Sequence, residues 1–284
     1  MVHWLTWLTL AAISAPPGPR ILVHGHRGCR AVRPENTRAA FQHALRAGVD
    51  VLEMDLAVTA DDVVVVSHDP TLNPKICRGR GGEEIAPGIP IRSLTYAELA
   101  RYDCGAVRHP DYPQQVPVPG SRIPRLEEVL ARGKRSAVWF NIETKIPADH
   151  PEWTVPPERF AALVLEVVRR QGVESRTILQ SFDYRSLRAM KRLAPKLRLA
   201  ALDEEGQQDF VALARSAEAD IISPRWDLVT SEKVRAARAA GLQVVPWTAN
   251  TPEQWRRLID AGVDAIITDD PEALIAFLKA RGLR

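Results

Sequence analysis

The sequence predicts an α/β protein with a (β/α)8 TIM-barrel fold and a small insertion after the second strand. About eight short apolar segments of strand type alternate with helical patterns, which is typical of a barrel. Acidic and histidine residues lie inside or just beyond several of these strands, where a barrel carries its functional groups. An open doubly wound sheet is the main alternative, and it fits less well because Gly25 to Gly28 is not a Gly-x-Gly-x-x-Gly phosphate loop.

The first part of the chain predicts two strands separated by one helix, each strand followed closely by a polar residue. The helix is expected to begin at a capping Asn36 or Thr37 and to be closed by Gly48. The predicted elements are a strand at Ile21–Gly25, a helix to about Ala47, a strand at Val51–Val58, and an apolar run at Val63–Ser67 that ends at His68.

From Pro124 onward the alternation of strands and helices is regular. Strands are predicted near Ala137–Glu143, Thr177–Ser181, Leu197–Leu202, Asp220–Ser223, Gln243–Trp247 and Asp264–Thr268. Helices are predicted near Leu126–Arg132, Pro157–Gln171, Tyr184–Leu193, Gln208–Ser216, Ser231–Ala240, Glu253–Ala261 and Glu272–Ala280.

Residues from about Thr71 to Arg122 interrupt this pattern. They are rich in glycine, proline and charge, with one short helical stretch near Thr95 to Tyr102. A structureless loop of this length is unusual inside a compact domain. We therefore expect an insertion at about 71–122 that either has a fold of its own or covers a site.

Three carboxylates share the predicted barrel interior. Side chains of a strand alternate between its faces, so Glu53 and Asp55 lie on one face of their strand and Glu143 on the corresponding face of a later one. Burying such charges is costly unless they are compensated. An all-oxygen set of this kind suits Mg²⁺ or Ca²⁺ better than zinc. The alternative is a set of salt bridges to Arg27 and Lys145.

Several short motifs occur in an order that resembles the glycerophosphodiester phosphodiesterase family. No single motif is specific, but their joint order and spacing are, and they cover nearly the whole chain from about Ile21 onward. The motifs are His26-Arg27-Gly28, Pro34-Glu35-Asn36-Thr37, Glu53-Met54-Asp55, His68-Asp69, Asn141-Ile142-Glu143-Thr144-Lys145, Gln180-Ser181-Phe182, Trp247-Thr248-Ala249-Asn250, Gly262-Val263-Asp264 and Thr268-Asp269.

The resemblance implies metal-dependent hydrolysis of glycerophosphodiesters, such as deacylated phospholipids, to glycerol 3-phosphate and an alcohol. It implies that Glu53, Asp55 and Glu143 bind one divalent cation, and that His26 and His68 form an acid/base pair. Histidines suit both proton transfers because their pKa lies near neutrality. The family also suggests that a glycerol hydroxyl attacks first and gives a cyclic phosphate, and direct attack by water stays open.

Further residues are candidates for contact with the small-molecule substrate. Arg27 and Lys145 are expected to bind phosphate oxygens. Glu35 either contacts the substrate or favours the N-terminus of the first helix. Gln180 and Trp247 follow later strands, and Trp247 is expected either to form an apolar wall against glycerol or to be a core aromatic. His24 shares a face with His26 but lies outside the motif, and we interpret it as structural.

Two other functions fit parts of the sequence. A lysophospholipase D-like phosphodiesterase acting on lipids predicts an apolar groove for acyl chains, and the segment 71–122 is too polar to supply one. A non-catalytic phosphoester-binding barrel predicts the loss of a motif residue, and none is missing.

Composition excludes some other classes of function. The 38 Lys and Arg residues nearly balance 35 Asp and Glu, and a net charge of +3 without a long basic run does not indicate a nucleic-acid partner. No Cys-x-x-Cys pair occurs among the three cysteines, which are Cys29, Cys77 and Cys104. A single disulfide bond between Cys77 and Cys104 is one interpretation, and unpaired buried thiols are the interpretation that we favour.

The N-terminal residues have some features of a secretory signal peptide. Trp4 to Ala15 is an apolar run with a small-x-small ending, although His3 is the only basic residue before it. The run is too short to span a bilayer as a helix. We interpret residues 1–15 as a signal peptide of a periplasmic or secreted enzyme whose domain covers 20–284. The alternative is an N-terminal extension of a cytoplasmic protein.

Overall fold

The computed structural model describes residues 20–284, which form a nearly closed barrel of eight parallel strands with helices between them. The strands are β1 (Leu22–Gly25), β2 (Val51–Val58), β3 (Val64–Val66), β4 (Trp139–Thr144), β5 (Thr177–Ser181), β6 (Arg198–Asp203), β7 (Ile221–Pro224), β8 (Gln243–Val244) and β9 (Ala265–Thr268). Their order is β8-β7-β6-β5-β4-β2-β1-β9, while β3 pairs antiparallel with β2 outside this ring. The predicted TIM-barrel fold is confirmed.

The ring closes between its shortest strand and its last one. The backbone N–H of Asp264 donates to the carbonyl of Val244 at 3.1 Å, and that of Ile267 donates to the carbonyl of Pro246 at 3.0 Å. β8 ends after two residues, and Pro246 has no N–H with which to continue the ladder. On either side of this proline the backbone N–H groups of Val245 and Trp247 still donate to the carbonyls of Ile222 and Pro224, at 2.9 and 3.0 Å, so hydrogen bonding to β7 continues to Trp247, where the predicted strand ends.

The helices agree closely with the hydrophobic periodicity. The helices are α1 (Arg38–Ala47), α2 (Tyr96–Leu99), α3 (Leu126–Gly133), α4 (Pro157–Gln171), α5 (Tyr184–Leu193), α6 (Phe210–Ser216), α7 (Ser231–Ala239), α8 (Pro252–Ala261) and α9 (Pro271–Lys279). Thr37 caps α1, because its hydroxyl accepts the N–H of Ala40, and Gly48 ends α1 at φ 85°. Asn36 is thereby free for another contact.

The segment 71–122 folds onto the barrel beside β2 and β3. It contains a 3-10 turn at Ile91–Ser93, the helix α2, and isolated antiparallel bridges that pair Thr71 with Pro90 and Arg78 with Asp103. Its apolar side chains form a separate cluster that includes Ala57 of β2 and Val65 of β3. The segment thus packs against the strand that carries two of the candidate metal ligands.

The favoured expectation of three unpaired thiols is wrong for two of them. Cys77 and Cys104 form a disulfide bond, while Cys29 is a free, buried thiol. The antiparallel pairing of Arg78 with Asp103 sets the preceding Cys77 directly opposite the following Cys104. This juxtaposition arises from the fold of the segment 71–122, which the spacing of the cysteines does not reveal.

Within residues 20–284, no helix is both long enough and apolar enough to cross a bilayer. The predicted signal peptide at 1–15 lies outside the described residues.

Candidate active site

The register of two neighbouring strands brings the three candidate carboxylates together. In the parallel pairing of β2 with β4, Asp55 lies beside Glu143 and Glu53 lies beside Asn141. One carboxylate oxygen from each of Glu53, Asp55 and Glu143 lies within 4.8 Å of the others. All three side chains are buried near the carboxyl end of the strands, where a barrel carries its chemistry.

The three carboxylates differ in how their charge is balanced. Lys145 Nζ lies 2.5 Å from Glu143 Oε1 and 3.1 Å from Asp55 Oδ1, and Arg27 Nε lies 3.2 Å from Asp55 Oδ2. Among the residues that the structure describes, Glu53 instead accepts hydrogen bonds only from neutral donors, namely the backbone N–H of Arg27 and the amide of Gln180, both at 2.8 Å. The salt-bridge alternative therefore describes Asp55 and Glu143 but leaves the charge of Glu53 unmatched.

The pKa values of these groups follow from the same arrangement. Burial raises the pKa of Glu53 well above its usual range, and the nearby Asp55 charge adds to this effect. Burial also opposes ionisation of Asp55, but the charges of Lys145 and Arg27 outweigh it and hold the pKa of Asp55 well below its usual range. When all three are ionised, the carboxylates carry more negative charge than Lys145 and Arg27 balance, and such a set of buried oxygens fits a hard divalent cation.

A tight turn after β1 aims Arg27 into this cluster. Gly28 has φ 83°, and a Cβ atom there would lie only 2.7 to 2.9 Å from atoms of Ala40 and Phe41 in α1. Arg27 itself has φ 48°, an uncommon conformation for a residue with a side chain. The turn directs its backbone N–H to Glu53, so backbone strain is stored beside the candidate metal ligands.

His26 is held by a carboxylate from the last strand. Gly25 at the end of β1 lies beside Thr268 at the end of β9, so the next residues, His26 and Asp269, become neighbours. His26 Nδ1 lies 2.5 Å from Asp269 Oδ1. Burial opposes ionisation of Asp269, but the His26 contact outweighs it and holds the pKa of Asp269 far below its usual range. Nδ1 therefore donates to the ionised carboxylate, and Nε2 is the ring nitrogen that this contact leaves available to accept or donate a proton.

His68 also contacts a carboxylate, and its side chain is more exposed than that of His26. His68 Nδ1 lies 2.8 Å from Asp69 Oδ1, and the amide of Asn73 donates to Asp69 Oδ2 at 2.8 Å. The side chain of His68 is 32% exposed, whereas that of His26 is 12% exposed. The two histidines thus share a histidine–carboxylate geometry but differ in their access to solvent.

Glu35 and Asn36 contact charged side chains of the site and orient them. Glu35 is buried and forms ion pairs at 2.8 Å with both Arg27 and Arg30. Asn36 adopts φ 55° and donates its side-chain amide to Asp55 Oδ2 at 2.9 Å. The motif that contains these two residues therefore orients Arg27 and Asp55 from α1's N-terminal side.

Gln180 links the cluster to the barrel interior. Its amide donates to Glu53 while its oxygen accepts the amide of Asn141 at 2.7 Å, and all three side chains are buried. Burial lowers the pKa of the neighbouring His24 to about 3, which keeps this ring neutral. This agrees with the structural interpretation of His24.

A cavity of about 370 Å³ opens above these residues. Its lining includes seven predicted site residues besides Trp247, which are His26, Arg27, Glu53, His68, Glu143, Lys145 and Gln180. The indole N–H of Trp247 donates to the carbonyl of Ser223 at 2.8 Å, and the ring of Phe182 meets the indole edge-to-face. Trp247 therefore presents an apolar ring to the cavity. Asp55 and Glu35 lie outside this lining and contact it through Arg27.

Several side chains that contact the candidate residues are not candidates from the sequence alone. Among them, Asn36, Asn250 and Asp269 belong to recognised motifs, and the position of Asp269 just after the last strand is a usable signal. Asn250 and Tyr112 both contact Asp269, at 2.7 and 2.8 Å. Tyr112 lies in the segment 71–122, and no sequence pattern connects it with the site.

A family model described as the glycerophosphoryl diester phosphodiesterase family matches residues 26–273. The chain belongs to this family. It is 32% identical over 263 residues to a glycerophosphodiester phosphodiesterase of Caldanaerobacter subterraneus subsp. tengcongensis, and the alignment covers 93% of this chain and 100% of the relative.

Two further proteins are similar to this chain over most of its length. The crystal structure of a protein from Silicibacter pomeroyi DSS-3 matches with a TM-score of 0.87 and 33% identity, covering 93% of this chain and 95% of that one. A lysophospholipase D of Homo sapiens is 28% identical over 290 residues, covering 89% of this chain and 84% of the relative. The family resemblance predicted from the motifs is confirmed, and the protein is an enzyme of the phosphoric diester hydrolase class.

Proposed function

We propose that the enzyme hydrolyses glycerophosphodiesters to glycerol 3-phosphate and an alcohol, using one divalent cation and two histidines. The observation that carries this proposal is the pair of carboxylate-oriented histidines that share one cavity with three clustered carboxylates. The phosphodiesterase family to which the chain belongs supports this substrate class.

Glu53, Asp55 and Glu143 would hold the cation, either Mg²⁺ or Ca²⁺. The unmatched charge of Glu53 and the all-oxygen donor set support this assignment. When bound, the cation supplies a positive charge that polarises the phosphoryl group and stabilises charge that develops during the reaction.

The histidines supply the two proton transfers that cleavage of a phosphodiester needs. One takes the proton from the attacking hydroxyl, and the other protonates the departing alkoxide. With Nδ1 of both His26 and His68 held by a carboxylate, both Nε2 atoms are available for these transfers.

Arg27 and Lys145 would bind the nonbridging phosphate oxygens. Both line the cavity, and both are anchored by buried carboxylates. Such fixed positive groups stabilise a transition state in which negative charge builds up on phosphate. For Glu35 and Gln180 the contacts support an orienting role, while Trp247 would form the apolar wall against the glycerol moiety.

The first test is the release of glycerol 3-phosphate from glycerophosphocholine, measured with chelator and then with added Mg²⁺ or Ca²⁺. We expect turnover to stop with chelator and to return with one of the ions. His26→Ala and His68→Ala should each abolish turnover while the circular dichroism spectrum is retained. Absence of turnover with both ions and several head groups would favour a non-catalytic phosphoester-binding barrel.

A substrate that lacks the glycerol 2-hydroxyl separates the two routes of attack. If that hydroxyl attacks phosphorus to give a cyclic phosphate, the deoxy analogue is not cleaved. If water attacks directly, the analogue is cleaved at a comparable rate. The parent diester under the same conditions serves as the reference.

A lysophospholipase D activity is the second candidate. A smaller groove of about 190 Å³ adjoins the cavity, and its lining combines the apolar residues Pro70, Ile146, Pro147 and Phe182 with the polar or charged residues His68, Asp69, Glu143, Thr144, Lys145 and Asp183. Its apolar side is the feature that favours contact with an acyl chain, and it lies outside the segment 71–122. Choline release from lysophosphatidylcholine at a rate above that from glycerophosphocholine would make this the main activity.

We also propose that the enzyme acts outside the cytoplasm, in the periplasm or as a secreted protein. The disulfide bond between Cys77 and Cys104 supports this location, because such bonds persist in oxidising compartments. Cell fractionation followed by mass measurement of the intact chain tests it. An enzyme confined to the cytoplasmic fraction with free thiols would contradict the proposal.

A further inference from the structure

A tyrosine from outside the barrel contacts the carboxylate that holds His26. The hydroxyl of Tyr112, in the segment 71–122, donates to Asp269 Oδ2 at 2.8 Å. Burial raises the pKa of this phenol, and the adjacent Asp269 raises it further, so the hydroxyl keeps its proton and remains the donor.

The two carboxylate oxygens of Asp269 have different hydrogen-bond partners. Oδ2 accepts both the Tyr112 hydroxyl and the side-chain amide of Asn250, while Oδ1 accepts His26 Nδ1. The backbone N–H of Asp269 donates to Asn250 Oδ1 at 2.9 Å, which fixes this amide in turn. Two donors on one oxygen hold the plane of the carboxylate, so the other oxygen remains directed at the imidazole.

Tyr112 is itself anchored to the loop that follows His26. The guanidinium of Arg30 lies over its ring, 4.8 Å from the centroid. The amide of Gln115 donates to the carbonyls of Arg30 and Arg33, at 2.7 and 3.1 Å, and the N–H of Val116 donates to the carbonyl of Val32. The backbone that directly follows Tyr112 is therefore hydrogen-bonded to the loop that follows His26.

We propose that Tyr112 is a positioning residue for His26, acting through Asp269. This inference rests on the proposed role of His26 in proton transfer. It gives the segment 71–122 a part in the reaction, because a group outside the barrel completes the hydrogen-bonding of a site that the barrel strands otherwise build.

The decisive variant is Tyr112→Phe, which removes the hydroxyl and keeps the ring. Groups that orient the ligands of a metal site typically contribute about 10- to 100-fold, and we take the lower end of this range for Tyr112, because His26 is not itself a candidate metal ligand. We therefore expect kcat to fall about tenfold with KM unchanged, because Tyr112 is not among the residues that line the cavity.

The pH dependence of kcat distinguishes a positioning role of Tyr112 from a merely structural one, because loss of a structural contact would leave the pH dependence unchanged. Asp269, Arg27, Arg30 and Asp55 act on the charge of His26, and Tyr112 lies behind Asp269. The other charged or titratable candidate residues that share its cavity are Glu53, His68, Glu143 and Lys145. Loss of the hydroxyl concentrates negative charge on the carboxylate and stabilises the imidazolium. One limb of the kcat profile should therefore move to higher pH in Tyr112→Phe, while the other stays in place.

The matched control is Tyr102→Phe, which removes a hydroxyl from the same segment. Within residues 20–284 the Tyr102 hydroxyl makes no hydrogen bond, and its ring packs on the apolar cluster of the segment. A Tyr112→Phe enzyme with kcat within twofold of the parent and unchanged pH limbs would overturn the inference. Full turnover of His26→Ala would instead refute the proposed function, so the two failures are distinguishable.

Discussion

Removal of the disulfide bond should destabilise the enzyme, because the bond restricts the conformations of the unfolded chain. Cys77 and Cys104 are separated by 27 positions. Closing a loop of about 28 residues lowers the entropy of the unfolded chain by an amount worth about 3.6 kcal/mol at 25 °C in the chain-entropy relation. We expect the double variant Cys77→Ser with Cys104→Ser to lose about this much of its free energy of unfolding.

The folded state should change much less than the unfolded chain. The apolar cluster of the segment 71–122 and the bridge between Arg78 and Asp103 both remain when the sulfur–sulfur bond is absent. Asn73 and Tyr112 also lie in this segment, and they hydrogen-bond to the carboxylates that contact His68 and His26, respectively. In dilute buffer the variant should therefore retain its turnover.

Urea denaturation followed by tryptophan fluorescence measures the effect. With a slope of about 3 kcal/mol per molar urea, the midpoint should shift downward by roughly 1 M. Dithiothreitol should shift the parent by the same amount and leave the double variant unchanged. A midpoint difference below about 0.3 M would refute the reasoning that the bond acts by restricting the unfolded chain.

Three other perturbations test the site. Gly28→Ala places a Cβ against Ala40 and Phe41 at positive φ, so it should cost about 2–4 kcal/mol in urea unfolding and lower turnover; parent-like stability would contradict this. Glu53→Gln removes the unmatched charge, and calorimetry should show at least tenfold weaker binding of the activating ion; equal affinity would remove Glu53 from the ligands. Because the folded pKa of Asp269 is depressed, its stabilisation is complete above the unfolded pKa of about 3.9 and is lost as pH falls. The free energy of unfolding should therefore fall more steeply below about pH 4 in the parent than in Asp269→Asn; parallel slopes would argue against this linkage.

Much of the fold and the carboxylate cluster could be predicted because the decisive information is local. The alternation of Leu52, Met54 and Leu56 with Glu53 and Asp55 assigns one face to the apolar core and the other to the barrel interior. This face assignment is confirmed in the structure.

Contacts between distant parts of the chain could not be predicted in the same way. The pairing of His26 with Asp269 depends on the register of β1 with β9, which periodicity within either strand does not encode. The disulfide bond and the Tyr112 contact depend on the irregular path of the segment 71–122, which has few repeating hydrophobic positions. Gln180 was found from its motif, but its bond to Glu53 follows only from strand order.

The pairing of the first and last strands has a consequence for how activity appears during folding. His26 and Asp269 are 243 positions apart, and the hydrogen bond between them forms only when β1 and β9 have met. Contacts of such long range carry a high entropic cost and form slowly. No fragment that lacks either end of the domain carries this dyad, whatever secondary structure it acquires. Recovery of turnover in a refolding experiment would thus report the pairing of β1 with β9, and it should lag behind the recovery of helical signal.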